Sequence, residues 1–312
     1  MARAADHADK LSGHPIAPGA LLAADHETLL KFAASVRRAR QEIEAAAGAK
    51  LARLASGLRA LARIEVILRR PLRLALMGEF NSGKSTLANL LIGNAPLPTL
   101  QLSNTRIPTL IHYHPEPVVT AFLDGGQAEL LTLSNPKAPQ DTLRIQVGMP
   151  MAHLGACEFI DFPGFSDPWL SYGAVEIGRH PIDAAIWCTF STQAWKESES
   201  TAWRLLPARI RQSSILAVTS KDLLNQDQVA KVMARLARAA PEFIAQVPVS
   251  ALTARKAIDA AGNVKDAGLW RRSGADDLLS TAQRLLSRVR AQRLAKAKAM
   301  TSRIAASVLA RL

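Results

Sequence analysis

The sequence predicts an α/β fold: a mostly parallel sheet covered by helices on both faces, with helical segments before and after it. Three observations carry that prediction. Between Leu72 and Ser250, short apolar runs of strand length alternate with helix-forming stretches, the pattern of buried parallel strands joined by crossover helices. One of those runs leads straight into Gly78-Glu79-Phe80-Asn81-Ser82-Gly83-Lys84-Ser85, and a helix-forming stretch follows. On either side, residues 25–70 and 276–312 repeat their apolar residues at the spacing of one helix face.

Taken in order, residues 1–24 contain Gly13, Pro15, Pro18 and Gly19, which break any period, and read as a flexible lead-in. From Asp25 to Arg70 a stripe of Val36, Ile43, Ala47, Leu51, Leu54, Leu58, Leu61, Ile64 and Leu68 predicts helix. Gly48 and Gly57 weaken it and predict a bend or a split. Pro71 ends it. Strands are expected at 72–77, 108–113, 118–123, 142–148, 157–162, 184–190, 213–219 and 244–250, and helices at 84–93, 171–179, 197–211, 226–240 and 252–261. After Asp276 the chain turns helical again, with Leu286, Val289, Ala297, Met300, Ile304 and Val308 on one stripe. The expected division is a lead-in over 1–24, a helical neck segment over 25–70, the α/β domain over 71–262 and a basic helical neck segment over 263–312.

Composition narrows the function classes. The 312 residues are 48% hydrophobic, enough for a substantial core. Thirty-nine basic against 26 acidic residues give a formal charge of +13, which favours an anionic partner: nucleic acid, an acidic membrane surface, or a phosphate-bearing ligand. Cys157 and Cys188 sit inside apolar runs and read as buried thiols in a reducing compartment. No signal peptide is recognised, and no stretch approaches the roughly 20 apolar residues of a membrane span. The expectation is a cytoplasmic protein, peripheral at the inner face of a membrane at most. Among the tryptophans, Trp187 lies in an apolar run and reads as core, whereas Trp195 in QAWKESE reads as the most exposed.

The octapeptide at 78–85 is G-x-x-x-x-G-K-S between a strand and a helix, a phosphate-binding P-loop. Gly78 and Gly83 allow backbone turns that aim successive N–H groups of Glu79, Phe80, Asn81 and Ser82 at phosphate oxygens. The positive end of the next helix, through Ser85 and Thr86, adds to the anion site. Lys84 supplies a mobile point charge for the outer phosphates, and the Ser85 hydroxyl is a Mg²⁺ ligand. The fold class is thereby a P-loop NTPase.

Further along, the strand CEFIDF ends in Asp161-Phe162-Pro163-Gly164. An Asp there can hold Mg²⁺ through water, and Gly164 offers a backbone N–H to a γ-phosphate. In the loop Ser103-Asn104-Thr105-Arg106, Thr105 is the residue able to close over Mg²⁺. Strand SSILAVT ends in Thr219-Ser220-Lys221-Asp222. The Asp222 carboxylate can accept both N1–H and N2–H of guanine, a pairing adenine does not offer. Ser220 stands where Lys usually covers the base, and Lys221 partly replaces that stem. Ser250-Ala251, after the last strand, matches an element whose backbone reads guanine O6. GTP with Mg²⁺ is the expected ligand pair, and a GTPase the expected enzyme.

With GEFNSGKSTLANLLIG, LPTLQLSNTRIPT, FIDFPGF, VTSKD and VSA in place, the chain resembles the GTPase domain of bacterial dynamin-like proteins over residues 72–252. Family members place Pro-Thr-Thr where this chain has Ser103-Asn104-Thr105, and the family's catalytic Thr aligns with Thr105. The resemblance implies hydrolysis without the water-orienting Gln of small GTPases, since Phe165 follows Gly164. Asn81 takes the P-loop catalytic role, and two heads pair across the nucleotide. It also implies that the flanking helices pack as a neck, and that partners include a second copy of the chain and either an anionic membrane or a stalk-bearing protein.

Two other readings fit the residues. A ribosome- or RNA-associated P-loop GTPase would use the positive charge, but no RNA-binding module follows the domain, which disfavours nucleic acid. A nucleotide-gated interaction protein with negligible turnover would suit the missing Gln. The final helix, whose charged residues beyond Asp277 are all basic, is expected to show a solvated basic face, with anionic lipid as the alternative.

Overall fold

The computed structural model describes residues 22–23, 25–93, 107–132, 138–165, 177, 180–259 and 262–310. The predicted helix at 171–179 apart from Ile177, together with Trp169, Thr105 and nearly all of the lead-in, lies outside the described residues. A helical hairpin comes first, α1 (His26–Ala47) and α2 (Leu51–Arg69). It folds back through a 3₁₀ turn at Gly48–Lys50, so the predicted split falls at Gly48, where φ is +47. Gly57 is instead retained inside α2, because a Cβ there would meet Val308 Cγ2 at 2.7 Å. Its missing side chain lets α2 approach the last helix closely.

Nine strands follow among the described residues: β1 (Leu72–Gly78), β2 (Thr109–Tyr113), β3 (Val118–Leu123), β4 (Ala128–Leu131), β5 (Thr142–Met149), β6 (Cys157–Asp161), β7 (Ala184–Phe190), β8 (Ser214–Thr219) and β9 (Ala245–Pro248). The helices after the hairpin are α3 (Lys84–Ile92), α4 (Glu197–Leu205), α5 (Ala208–Arg211), α6 (Gln226–Ala239), α7 (Ala251–Lys256), α8 (Ala267–Ser273) and α9 (Ala275–Leu309). The sheet order is β4-β3-β5-β2-β6-β1-β7-β8-β9. From β6 to β9 every pairing is parallel, and β2 and β5 are parallel to each other. Antiparallel pairings join β2 to β6, β5 to β3 and β3 to β4. The expectation of a mostly parallel sheet therefore holds for the part that carries the P-loop.

Strand periodicity sorts the core into two layers. Leu72, Leu74 and Leu76 of β1 and Ala184, Ile186 and Cys188 of β7 face a layer with α3 and the start of α9. Ala75, Met77, Ala185 and Trp187 face the other layer, with α4 to α6. Both faces are covered, which explains the unbroken apolar character of these strands.

Several boundaries differ from expectation. The helix expected at 197–211 is two helices, because Pro207 lacks the N–H that a continuous helix needs. Edge strand β4 and helix α8 were not anticipated, and the strand expected at 244–250 is the shorter β9. Leu22, at the end of the supposed lead-in, is fully buried in the sheet layer. Trp195 is the least buried of the described tryptophans, as expected, although it also packs against Trp187, Trp203 and Phe243 at centroid distances of 6.2, 6.3 and 5.3 Å.

The neck joins the first and last helices. Leu29, Ala33, Val36, Leu61, Ile64, Leu68 and Ala297 form its core, and Ala47, Leu54, Leu58 and Val308 its tip. Glu65, buried, accepts Arg37 at 2.6 Å across the hairpin and Arg69 at 3.0 Å one turn along its own helix. Where neck meets sheet, the Asp183 carboxylate accepts Arg70 at 3.0 Å, Arg293 at 2.7 Å and the Arg73 backbone N–H at 2.9 Å. The basic face expected of α9 is thus partly internal, since Arg290 is buried and donates to the Leu22 carbonyl at 2.6 Å.

Candidate functional site

The sheet order places β1 between β6 and β7, with β8 next. The loops after β1, β6, β8 and β9 therefore converge at the carboxyl end of the parallel strands, where open α/β sheets bind ligands. Residues 78–85 form the turn from β1 to α3. Its shape rests on positive φ at Gly78 (136), Asn81 (60) and Gly83 (84). A Cβ at Gly78 would lie 2.1 Å from the Cys188 carbonyl oxygen, so only glycine fits there.

Inside the loop, the buried Lys84 ammonium donates to the Gly78 and Glu79 carbonyls at 3.1 and 2.6 Å. Burial lowers its pKa, while the nearby Asp161, Cys188, Glu79 and Glu199 act in the opposite direction. Ser85, in the first turn of α3 beside Thr86, donates its hydroxyl proton to Asp161 Oδ2 at 3.1 Å. Burial pushes the Asp161 carboxyl up to about 6 despite Lys84 and Ser85. Its other oxygen, Oδ1, is buried with no hydrogen-bond partner. A buried carboxylate with an orphaned oxygen beside a hydroxyl is the donor set a hard divalent cation takes, so Ser85 and Asp161 fit Mg²⁺.

The segment after β6 folds onto the P-loop. Phe165 N–H donates to the Gly78 carbonyl at 3.2 Å. A Cβ at Gly164 would lie 2.5 Å from Phe80 N and 2.6 Å from Phe80 Cα. Gly164 is therefore needed for backbone-to-backbone approach, apart from any contact with phosphate. Gly164→Ala is expected to push this segment off the P-loop and lower GTP turnover by about tenfold or more, with GDP affinity changed less than threefold; parallel turnover and titration measurements check this.

On the far side, Thr219 Oγ1 hydrogen-bonds the Ser82 carbonyl at 2.7 Å and the Thr189 carbonyl at 3.1 Å, tying β8 to the P-loop. Ser220 adopts φ +54, and its carbonyl accepts the Ser191 hydroxyl at 2.9 Å. Lys221 N–H donates to the Val249 carbonyl at 3.2 Å, which sets Asp222 beside the Ser250-Ala251 turn. Ser250 caps α7, its hydroxyl accepting the Thr253 N–H at 3.1 Å, and Ala251 opens that helix. Asp222 is exposed at the mouth of the site.

The family model for the Dynamin family matches residues 74–144, from β1 through the P-loop to β5. Over that segment the chain is similar to the dynamin-family GTPase domain. The chain is 34% identical over 115 residues to the isoniazid-induced protein IniC of Mycobacterium tuberculosis, covering 34% of the chain and 23% of that protein. It is 25% identical over 169 residues to dynamin-like protein 2 of Campylobacter jejuni, covering 51% and 27%. The chain spans about a quarter of the length of these curated relatives. Its fold matches a solved oligomerised bacterial dynamin pair, described as a mechanism for long-range sensing and tethering of membranes. That match has a TM-score of 0.53 and 19% identity, over 76% of this chain and 39% of the other.

Around the P-loop the structure adds side-chain contacts that sequence reading passed over. Glu79 accepts Lys196 Nζ at 3.2 Å and the Ser198 hydroxyl. Glu199, buried, accepts Trp187 Nε1 at 3.1 Å, Thr189 Oγ1 at 2.8 Å and Lys196 N–H at 3.0 Å. Burial raises its pKa against those three donors. The available signal was the run Lys196-Glu197-Ser198-Glu199, whose Glu at the third helical position can reach back to the N-cap N–H.

Proposed function

We propose that this chain hydrolyses GTP with Mg²⁺, slowly as a single head and faster when two heads pair across the nucleotide, and that turnover moves the helical neck. The observation that carries the reading is the Ser85–Asp161 pair with its orphaned carboxylate oxygen, set at the mouth of a glycine-shaped loop that buries Lys84. The backbone N–H groups from Glu79 to Ser85 orient the phosphates, and Lys84 supplies charge to the outer ones. Asn81, exposed at the lip of the loop, and the Gly164 N–H face the region where water must approach. Ser85 and Asp161 would hold Mg²⁺, with Thr105 the proposed further ligand, and the ion would neutralise charge on the phosphate oxygens. Catalysis is then positioning and electrostatic stabilisation.

Guanine selectivity is assigned to Asp222, helped by the backbone at Ser220, Ser250 and Ala251 and by the Lys221 stem. Pairing is supported by Phe80, 60% exposed beside the phosphate loop, and by a fold relative that is itself an oligomerised pair. A membrane surface or a stalk-bearing protein is the proposed object of the neck movement, at the inner face of a membrane. Among the described residues no helix is long and apolar enough to cross a membrane, so contact with one would be made from its surface.

The test is phosphate release from GTP and from ATP over a range of protein concentrations. GTP-selective release whose specific activity rises with concentration is expected. Release that is absent while GTP still binds would sink the enzyme reading and leave a nucleotide-gated binding protein.

A further inference from the structure

A cavity of about 230 Å³ opens beside the P-loop, with Glu79, Phe80 and Asn81 on one wall and Gln193, Lys196 and Glu199 on the other. It lies over the lip of the loop, next to the residues assigned to the outer phosphates. The second wall is the turn from β7 into α4, and it is held unusually firmly. Glu199 gathers the side chains of Trp187 and Thr189 and the backbone N–H of Lys196. Thr189 in turn accepts the Trp195 N–H at 2.8 Å, and the Ala194 carbonyl accepts Arg235. Trp195 adopts φ +59 and wedges into the aromatic cluster. The backbone that presents Lys196 is thus fixed, and only the lysine side chain is free to swing.

That side chain is half-exposed and bridges to Glu79 at 3.2 Å. A bridge so exposed is weak, and Glu79 keeps the Ser198 hydroxyl when the lysine leaves. A triphosphate in the loop presents more negative charge than Lys84 and one divalent ion neutralise, and charge builds further on its outer oxygens during transfer. A second cation on a preorganised mount at the lip meets that need. We infer that Lys196 is a catalytic cation supplied in cis, held off the site by Glu79 and transferred to the terminal phosphate of GTP. The assignment rests on the hydrolysis reading above. It needs no redox step or further reactant, because the lysine exchanges a carboxylate for a phosphate as its ion partner.

The test compares Lys196→Ala, Lys196→Arg, Glu79→Gln and the double variant Glu79→Gln/Lys196→Ala, with two readouts. Lys196→Ala should lower kcat for GTP by roughly tenfold to hundredfold, with KM within about threefold, by the same factor at every protein concentration. It should also lose the extra affinity for GDP with aluminium fluoride over GDP alone, measured by calorimetry. Lys196→Arg should restore most of both. Glu79→Gln should raise kcat, and the double variant should match Lys196→Ala. Wild-type turnover retained in Lys196→Ala, or lost only at concentrations where heads pair, overturns this assignment alone. Wild-type protein that binds GTP yet neither turns it over nor favours the aluminium fluoride complex overturns the hydrolysis reading and this assignment together.

Discussion

Lys84→Ala is expected to lower GTP turnover by about 10³-fold or more and to weaken GTP binding, while leaving the sheet folded. The ammonium is buried and donates to the Gly78 and Glu79 carbonyls, and burial depresses its pKa against the nearby Asp161, Cys188, Glu79 and Glu199. A triphosphate would add negative charge beside a desolvated cation, so removing that cation should weaken binding. The loop's shape does not depend on the lysine, since it rests on Gly78, Asn81, Gly83 and the Thr219–Ser82 hydrogen bond. Fluorescent-nucleotide titration, phosphate release and circular dichroism on the same preparation separate the three effects. Turnover within tenfold of wild type would remove Lys84 from the phosphate site.

The largest stability effect is expected at the junction of neck and sheet. Asp183→Ala removes the acceptor shared by Arg70, Arg293 and the Arg73 N–H, leaving two guanidiniums in a partly buried joint. Breaking such a pair typically costs about 3–5 kcal/mol because the surviving charge loses its partner. Urea unfolding should show that loss, with the Arg293→Met variant losing less and the double variant no worse than Asp183→Ala. A coupling energy between the two sites below about 0.5 kcal/mol would mean that apolar packing alone holds the neck.

The sheet and the phosphate loop were legible because their signals are local. Alternating apolar runs place β1, β6, β7 and β8 within a residue or two, and the eight residues of the P-loop are contiguous. Elements whose existence depends on a partner were not legible. Strand β4, Ala-Glu-Leu-Leu, has helix-forming residues and is a strand only because β3 pairs with it. Trp195 is the least buried of the described tryptophans, as its charged neighbours suggest, but its contacts with Trp187, Trp203 and Phe243 join residues that no local pattern connects. The charge pattern of α9 gave no sign that Arg290 turns inward, since its acceptors are the carbonyls of Leu22 and Ala156. In the site, the Glu79–Lys196 contact joins residues 117 apart, and no spacing rule reaches that far.

Helix α9 runs unbroken through 35 residues, roughly 50 Å at 1.5 Å per residue. Its first turns, with Leu278, Leu279, Ala282, Leu285 and Leu286, are locked into the sheet layer, and Val308 reaches the tip of the neck. A rod clamped at its base is a mechanical amplifier. A pivot of about 10° near Arg290 would carry the far end through about 5 Å, close to one helical pitch. A small bend there would be read as a displacement of several ångströms at the tip, so one spin label at the tip of α9 paired with one on the sheet reports nucleotide state.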